Sequence, residues 1–223
     1  MATVTDLVGP AGPLEALLDE PEGLDAAGAP KAAVVFAHPH PQFGGTMHTK
    51  VVYRGAKGLA RIGCAVLRFN FRGVGRSAGT FDQGDGEKED FKAALDYMAT
   101  RYPQSPLWAA GFSFGAWVAL EVGAADQRVT ALVGIAPPVA TSVSGHDYTF
   151  ENTLQSTKPR FFVQGEADDV CPIEGMWAFY GKLEEPKELV VIDAADHLFE
   201  GKAEEVGEAL EDLLADFPVL NHE

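Results

Sequence analysis

Six apolar runs of strand length recur along this chain, at Lys31–His38, Cys64–Asn70, 107–111, Val129–Ile135, Arg160–Gln164 and Leu189–Asp193. A strand with one wet face alternates polar and apolar residues, whereas an unbroken apolar run belongs to a strand buried on both faces. Between the runs the apolar residues return at helical spacing, as with Phe91, Ala94, Leu95 and Met98 inside Glu87–Thr100. Helices are further expected over about Met47–Arg61, Phe114–Val122, Pro172–Leu183, with proline in its first turn, and Leu198–Ala215. Strands and helices alternating in a single pass build a mostly parallel sheet with helices on both faces. Residues 2–8 and 13–18, joined by Gly9-Pro-Ala-Gly-Pro13, read as an antiparallel hairpin at the sheet edge, where proline is tolerated. Glu20–Pro30 reads as a loop and 139–158 as an irregular polar stretch. No composition break, repeat or low-complexity segment divides the chain. The expectation is an α/β fold of about 7–8 strands, as a single domain over 1–223.

One junction in this alternation carries chemistry. Leu107–Ala110 runs into Gly111-Phe-Ser-Phe-Gly115, and a helix follows at once. A direct passage from strand to helix is a sharp turn, and glycines on both sides of the serine relieve its crowding. Such a turn holds the Ser113 hydroxyl clear of the backbone, beside helix N-terminal N–H groups that stabilise negative charge. The pattern alone is weak, because the chain contains it twice. Gly75-Arg-Ser77-Ala-Gly79 lies in a glycine-rich loop with no strand directly before it and no helix after it, so context selects Ser113.

Composition narrows the partners. A formal charge of −16 argues against nucleic acid or an anionic membrane surface. No stretch of about 18 apolar residues appears, and the N-terminus has no basic segment followed by an apolar run, so a cytoplasmic, non-membrane protein is expected. Two cysteines, Cys64 and Cys171, suggest neither a disulfide framework nor a metal knuckle. No dinucleotide fingerprint, phosphate loop or zinc spacing is present, so no cofactor is expected.

In an open parallel sheet, chemistry collects at the carboxyl ends of the strands. Those ends carry His38 and His40, Arg72, Ser113, Asp168 and Asp169, and His197. A serine hydroxyl needs a base, and the base needs a carboxylate to fix its tautomer and stabilise the imidazolium. Ser113, an aspartate at 168 or 169, and His197 supply that set, in the chain order of α/β-hydrolases. The oxyanion needs two backbone N–H groups. One is expected from Phe114, directly after the serine. The other is expected from the loop after the first buried strand, where Pro39 and Pro41 have none to give and His40, Gln42 and Phe43 remain.

Gly111-Phe-Ser-Phe-Gly115, Gly165-Glu-Ala-Asp-Asp-Val-Cys-Pro172 and Asp196-His-Leu-Phe199 resemble the nucleophile, acid and histidine segments of the α/β-hydrolase superfamily. Asn70-Phe-Arg-Gly-Val-Gly-Arg-Ser77 is similar to its Arg-Gly-x-Gly-x-Ser stretch, which makes Ser77 a recurrent loop serine. Ala37-His-Pro-His-Pro-Gln-Phe-Gly-Gly-Thr-Met47 resembles a narrower group of small bacterial hydrolases without a cap, related to dienelactone hydrolases and simple carboxylesterases. The resemblance implies Asp168 as the acid, with Asp169, Asp193 and Asp196 set aside. Against the superfamily's His-Gly, His38-Pro39 places the second oxyanion donor at His40.

The implied activity is hydrolysis of short-chain carboxylic esters through an acyl-enzyme, in a shallow pocket, because only about twenty residues separate the strands flanking the usual cap position. Phe43, Phe112, Phe114 and Phe199 are expected to line that pocket, with Trp117 in the core. His38 is expected to prop its loop, and a metal held by His38, His40 and His48 is not. Arg72 and Arg76 read as salt-bridge partners that pin the loop, and His146-Asp147 as part of a surface loop or rim helix. A thioesterase, a small peptidase or a non-catalytic binding protein on the same scaffold is the alternative. Oligomeric state is not legible.

Overall fold

The computed structural model describes residues 1–21, 28–139, 142–143 and 146–217. Eight strands make one sheet: β1 (Ala2–Val4), β2 (Ala16–Asp19), β3 (Ala33–Ala37), β4 (Ala65–Phe69), β5 (Leu107–Phe112), β6 (Val129–Ile135), β7 (Arg160–Gly165) and β8 (Lys187–Ile192). Their spatial order is β1-β2-β4-β3-β5-β6-β7-β8. Only the pairings made by β2 are antiparallel, with Ala2 opposite Leu18 on one side and Ala16 opposite Phe69 on the other. The expected N-terminal hairpin is therefore present at the edge, with a small ribbon of Val8–Gly9 and Gly12–Pro13 inside its connection.

The period-2 geometry of a strand sorts each buried run onto two faces. Along β3, Ala33, Val35 and Ala37 enter one core and Val34 and Phe36 the other. The second core holds α1 (Lys50–Arg61) and α6 (Ala203–Leu214), which pack together through residues such as Val52, Leu59, Val206 and Leu210. The first holds α2 (Asp85–Arg101), α3 (Phe114–Ala125) and α5 (Ile173–Tyr180), through Phe91, Leu95, Val118 and Met176. Each such side chain, fully buried, contributes roughly 1.5–3 kcal/mol. This explains why the central strands need no polar face.

Several element ends differ from expectation. The last helix begins at Ala203 instead of Leu198, because Phe199 and Gly201 take left-handed backbone (φ 52° and 74°) and hold 198–202 in turns. Pro172 lies just outside α5 with extended ψ, and α1 starts at Lys50 after a turn closed by the Thr49 N–H on the Thr46 carbonyl (3.0 Å). The stretch between β6 and β7 is not wholly irregular. It contains a two-stranded ribbon, Ser142–Val143 with His146–Asp147, and the short helix α4 (Glu151–Gln155). Among the described residues, no helix is long and apolar enough to cross a membrane.

Candidate active site

Ser113 joins β5 to α3 with φ 54° and ψ −120°, a conformation that costs an L-residue about 1–3 kcal/mol. Two close approaches hold it there. A Cβ on Gly111 would lie 2.1 Å from the Gly115 carbonyl oxygen, and one on Gly115 would lie 2.4 Å from that of His38. The Ser113 N–H donates to the Ile135 carbonyl of β6 at 2.8 Å, fastening the turn to the neighbouring strand. The serine thus stands at the N-terminus of α3, whose first N–H groups, at Phe114 and Gly115, have no intrahelical acceptor.

The turns after β7 and β8 bring Asp168 and His197 to this point. Asp168 is 5 % exposed, and its Oδ1 accepts the N–H groups of Val170 (2.9 Å) and Cys171 (2.7 Å). Its Oδ2 accepts Gln164 Nε2 at 3.0 Å and faces His197 Nδ1 at 2.8 Å. His197 Nε2 meets Ser113 Oγ at 2.9 Å. A carboxylate at Nδ1 places the ring proton there, so the Nε2 lone pair faces the serine hydroxyl. Asp169, Asp193 and Asp196 are exposed at the surface, and Asp196 accepts the Glu200 N–H at 2.9 Å.

A cavity of about 310 Å³ opens onto Ser113 and His197. Phe43 lines it as expected, beside His40, Phe114, Tyr148 and Leu198, with Pro39, Pro138 and Val170. Phe112 and Phe199 do not line it. Both are fully buried, and Phe112 backs the His197 ring at 5.4 Å with Phe199 behind it at 6.2 Å. Trp117 is in the core and gives its indole N–H to the Thr149 carbonyl at 2.8 Å. Farther along the same helix, Glu121 accepts the N–H groups of Asn152 (3.2 Å) and Thr153 (2.9 Å), so α3 clasps the segment that carries Tyr148. Burial raises the Tyr148 hydroxyl to about 12. Tyr148, Val170, Leu198 and Gln164 were not singled out from the sequence. The first three reach the cavity from loops remote in sequence, and Gln164 is marked only as a polar residue closing an apolar strand.

The loop after β3 places His40 with its ring 5.0 Å from that of Phe114. The Gln42 N–H donates to His40 Nδ1 (3.2 Å) and the Phe43 N–H to the His40 carbonyl (3.1 Å), which removes both as oxyanion donors. His38 is fully buried. Its Nδ1 binds the Pro39 carbonyl at 2.6 Å and its Nε2 accepts the Phe71 N–H at 3.1 Å, so it props the loop as a neutral ring. Burial pushes its pKa down to about 4. Arg72 pairs with Asp90 through two contacts (3.0 and 2.8 Å) and Arg76 with Glu15 (3.0 Å), which pins the loop between them. The side chain of His146 lies outside the described residues.

Comparison with known proteins places the chain among α/β serine hydrolases. The model of the family described as serine aminopeptidase, S33, matches residues 28–157, more than half of the chain. An uncharacterized protein of Rickettsia prowazekii is 39% identical over 193 residues, covering 83% of this chain and 79% of its own. The structure of an α/β serine hydrolase homologue from Coxiella burnetii is similar with a TM-score of 0.85 and 39% identity, over 96% of this chain and 97% of that one. An α/β serine hydrolase without lid from Xanthomonas campestris is similar with a TM-score of 0.82 and 36% identity, over 95% and 92%.

Proposed function

The chain belongs to the serine aminopeptidase S33 family within the α/β-hydrolase superfamily, in its group of serine hydrolases without a lid, and from that premise we propose that it hydrolyses short-chain carboxylic esters through an acyl-enzyme. One observation carries the reading. An unbroken path of contacts, 2.8 and 2.9 Å, joins the buried carboxylate of Asp168 through His197 to a serine held in a strained turn at the cavity floor. In this mechanism His197 Nε2 takes the Ser113 proton as Oγ attacks the ester carbonyl. Asp168 stabilises the imidazolium, which then protonates the leaving alkoxide. Water repeats the cycle and releases the acid. The N–H groups of Phe114 and His40 receive the oxyanion, each worth roughly 10²–10³ in rate by analogy with measured holes.

Esters are favoured over aminoacyl peptides by the walls of the cavity. Among the described residues that line it none is a carboxylate, so a substrate ammonium meets no counter-charge from them. Apolar and aromatic side chains line most of the space instead, and its modest volume suits a small acyl group. Cys64 and Cys171 are both buried thiols outside any disulfide, as is usual in a reducing compartment, and cytoplasmic residence is part of this proposal.

The test is labelling with a fluorophosphonate followed by peptide mapping, with p-nitrophenyl acetate, longer nitrophenyl esters and aminoacyl nitroanilides assayed in parallel. Label on Ser113 and a preference for acetate or butyrate support the reading. No label, or faster turnover of the nitroanilides, overturns it.

A further inference from the structure

Behind the proposed base lies a thiol that the esterase reading does not use. Cys171 is 3 % exposed and follows Asp168 by three positions, on the loop whose N–H groups hold the Asp168 carboxylate. Ligand atoms of Asp168, Cys171 and His197 all lie within 4.8 Å of one another. We propose that these three side chains form an inhibitory site for a borderline-soft divalent cation such as Zn²⁺, bound as an off-switch and not as a cofactor. The proposal rests on the esterase reading for its effect on activity, though not for the binding itself.

The donor set suits the ion. Thiolate, imidazole and carboxylate are the usual ligands of zinc, and three protein ligands leave one position for water. Charge also balances, because a carboxylate, a thiolate and a neutral imidazole offset a divalent cation within a largely buried pocket. Asp168 and His197 already face each other at 2.8 Å, so inserting the ion needs only a small separation of the two. The net charge of −16 raises the local concentration of cations around the molecule.

Binding stops catalysis through the imidazole tautomer. In the free protein the ring proton is on Nδ1, and the Nε2 lone pair faces Ser113. A cation on Nδ1 needs the lone pair of that nitrogen, so the ring proton leaves Nδ1 and is carried on Nε2 instead. The thiol gives up its own proton to solvent, and one proton is released in all. An Nε2 that already carries hydrogen has no lone pair for the serine proton, so the hydroxyl is left unactivated. Hard cations such as Mg²⁺ find one carboxylate, a nitrogen and a sulfur here, which is the wrong set.

The experiment compares the wild-type protein with Cys171→Ser and Cys171→Ala, both of which keep the backbone N–H that holds Asp168. Zn²⁺ and Mg²⁺ are titrated against nitrophenyl ester turnover. Separately, Co²⁺ is titrated against the near-ultraviolet thiolate-to-cobalt absorption, which needs no turnover. Zn²⁺ but not Mg²⁺ should inhibit the wild type. In either variant the inhibitory Zn²⁺ concentration should rise by more than the roughly 10–100-fold typical of losing an outer-shell partner. The cobalt band should appear in the wild type alone. Equal inhibition of wild type and variants, or no band in the wild type, overturns the site. A wild-type band in a protein that turns over no ester would leave the site standing and sink the esterase reading.

Discussion

Ser113 and Ser77 occupy the same five-residue pattern, yet their hydroxyls meet different partners. Ser113 follows a strand buried on both faces and opens a helix, and its Oγ meets the His197 ring at 2.9 Å beside a cavity. Ser77 lies in a loop, 8 % exposed. There its hydroxyl donates to the Asn70 carbonyl at 2.6 Å and accepts the Glu15 N–H at 2.9 Å. A hydroxyl whose donor and acceptor capacity are both taken by backbone is a rivet between loop and sheet edge. A hydroxyl presented to an imidazole is a nucleophile in waiting. The difference lies in what precedes and follows the five residues, since the glycine spacing is common to both.

The contrast can be broken first at the reacting atom. Ser113→Ala should lower kcat on nitrophenyl acetate by on the order of 10⁶, as for other serine hydrolases, while Ser77→Ala leaves kcat within about threefold. Comparable losses in both variants would defeat the distinction. Asp168→Asn should cost about 10⁴ in kcat with the fold intact by circular dichroism, because an amide no longer fixes the imidazole tautomer. A loss under tenfold would show that Asp168 is not the orienting acid.

His38 links the two regions and predicts an intermediate effect. Its carbonyl abuts Gly115 in the Ser113 turn, and its Nε2 accepts the Phe71 N–H where the Ser77 loop begins. With a folded pKa of about 4 against an ordinary 6.5, the unfolded chain binds this proton first as pH falls. The contribution of His38 to stability is thus complete above about 6.5, declines between 6.5 and 4, and is lost below, for a total near 3 kcal/mol. Urea unfolding across that range should show the decline in the wild type and a flatter profile in His38→Asn. The smallest effect is expected for Ser77→Ala on stability, about 1–3 kcal/mol from the backbone groups left without their partner, read from the same urea midpoints.

Much of this site was legible because strand ends and sharp turns leave marks in the sequence. Ser113, Asp168 and His197 each follow an apolar run, and the structure brings all three within hydrogen-bonding reach. The cavity walls were harder. Phe112 was expected beside the substrate, but it shares strand parity with Trp108 and Ala110, which places it on the α1 and α6 side of the sheet. Phe199 was expected on a helix, whereas its left-handed backbone turns the ring into the core. Tyr148 was hidden in a polar stretch that has no period of its own. It comes to the cavity only because α3 gathers that stretch in, through contacts over thirty residues apart in sequence.

That gathering has a consequence for selectivity. A single helix begins at the serine and grips the segment bearing Tyr148 about one turn on, through Trp117, and about two turns on, through Glu121. Reacting atom and far wall are therefore mounted on one rod. The span of the cavity between them is thus set by contacts to one helix, and not by the sheet alone. Changing the residue at position 148 resets that span. Loosening Glu121 would instead give one protein many spans, and with them a blurred preference among otherwise similar molecules.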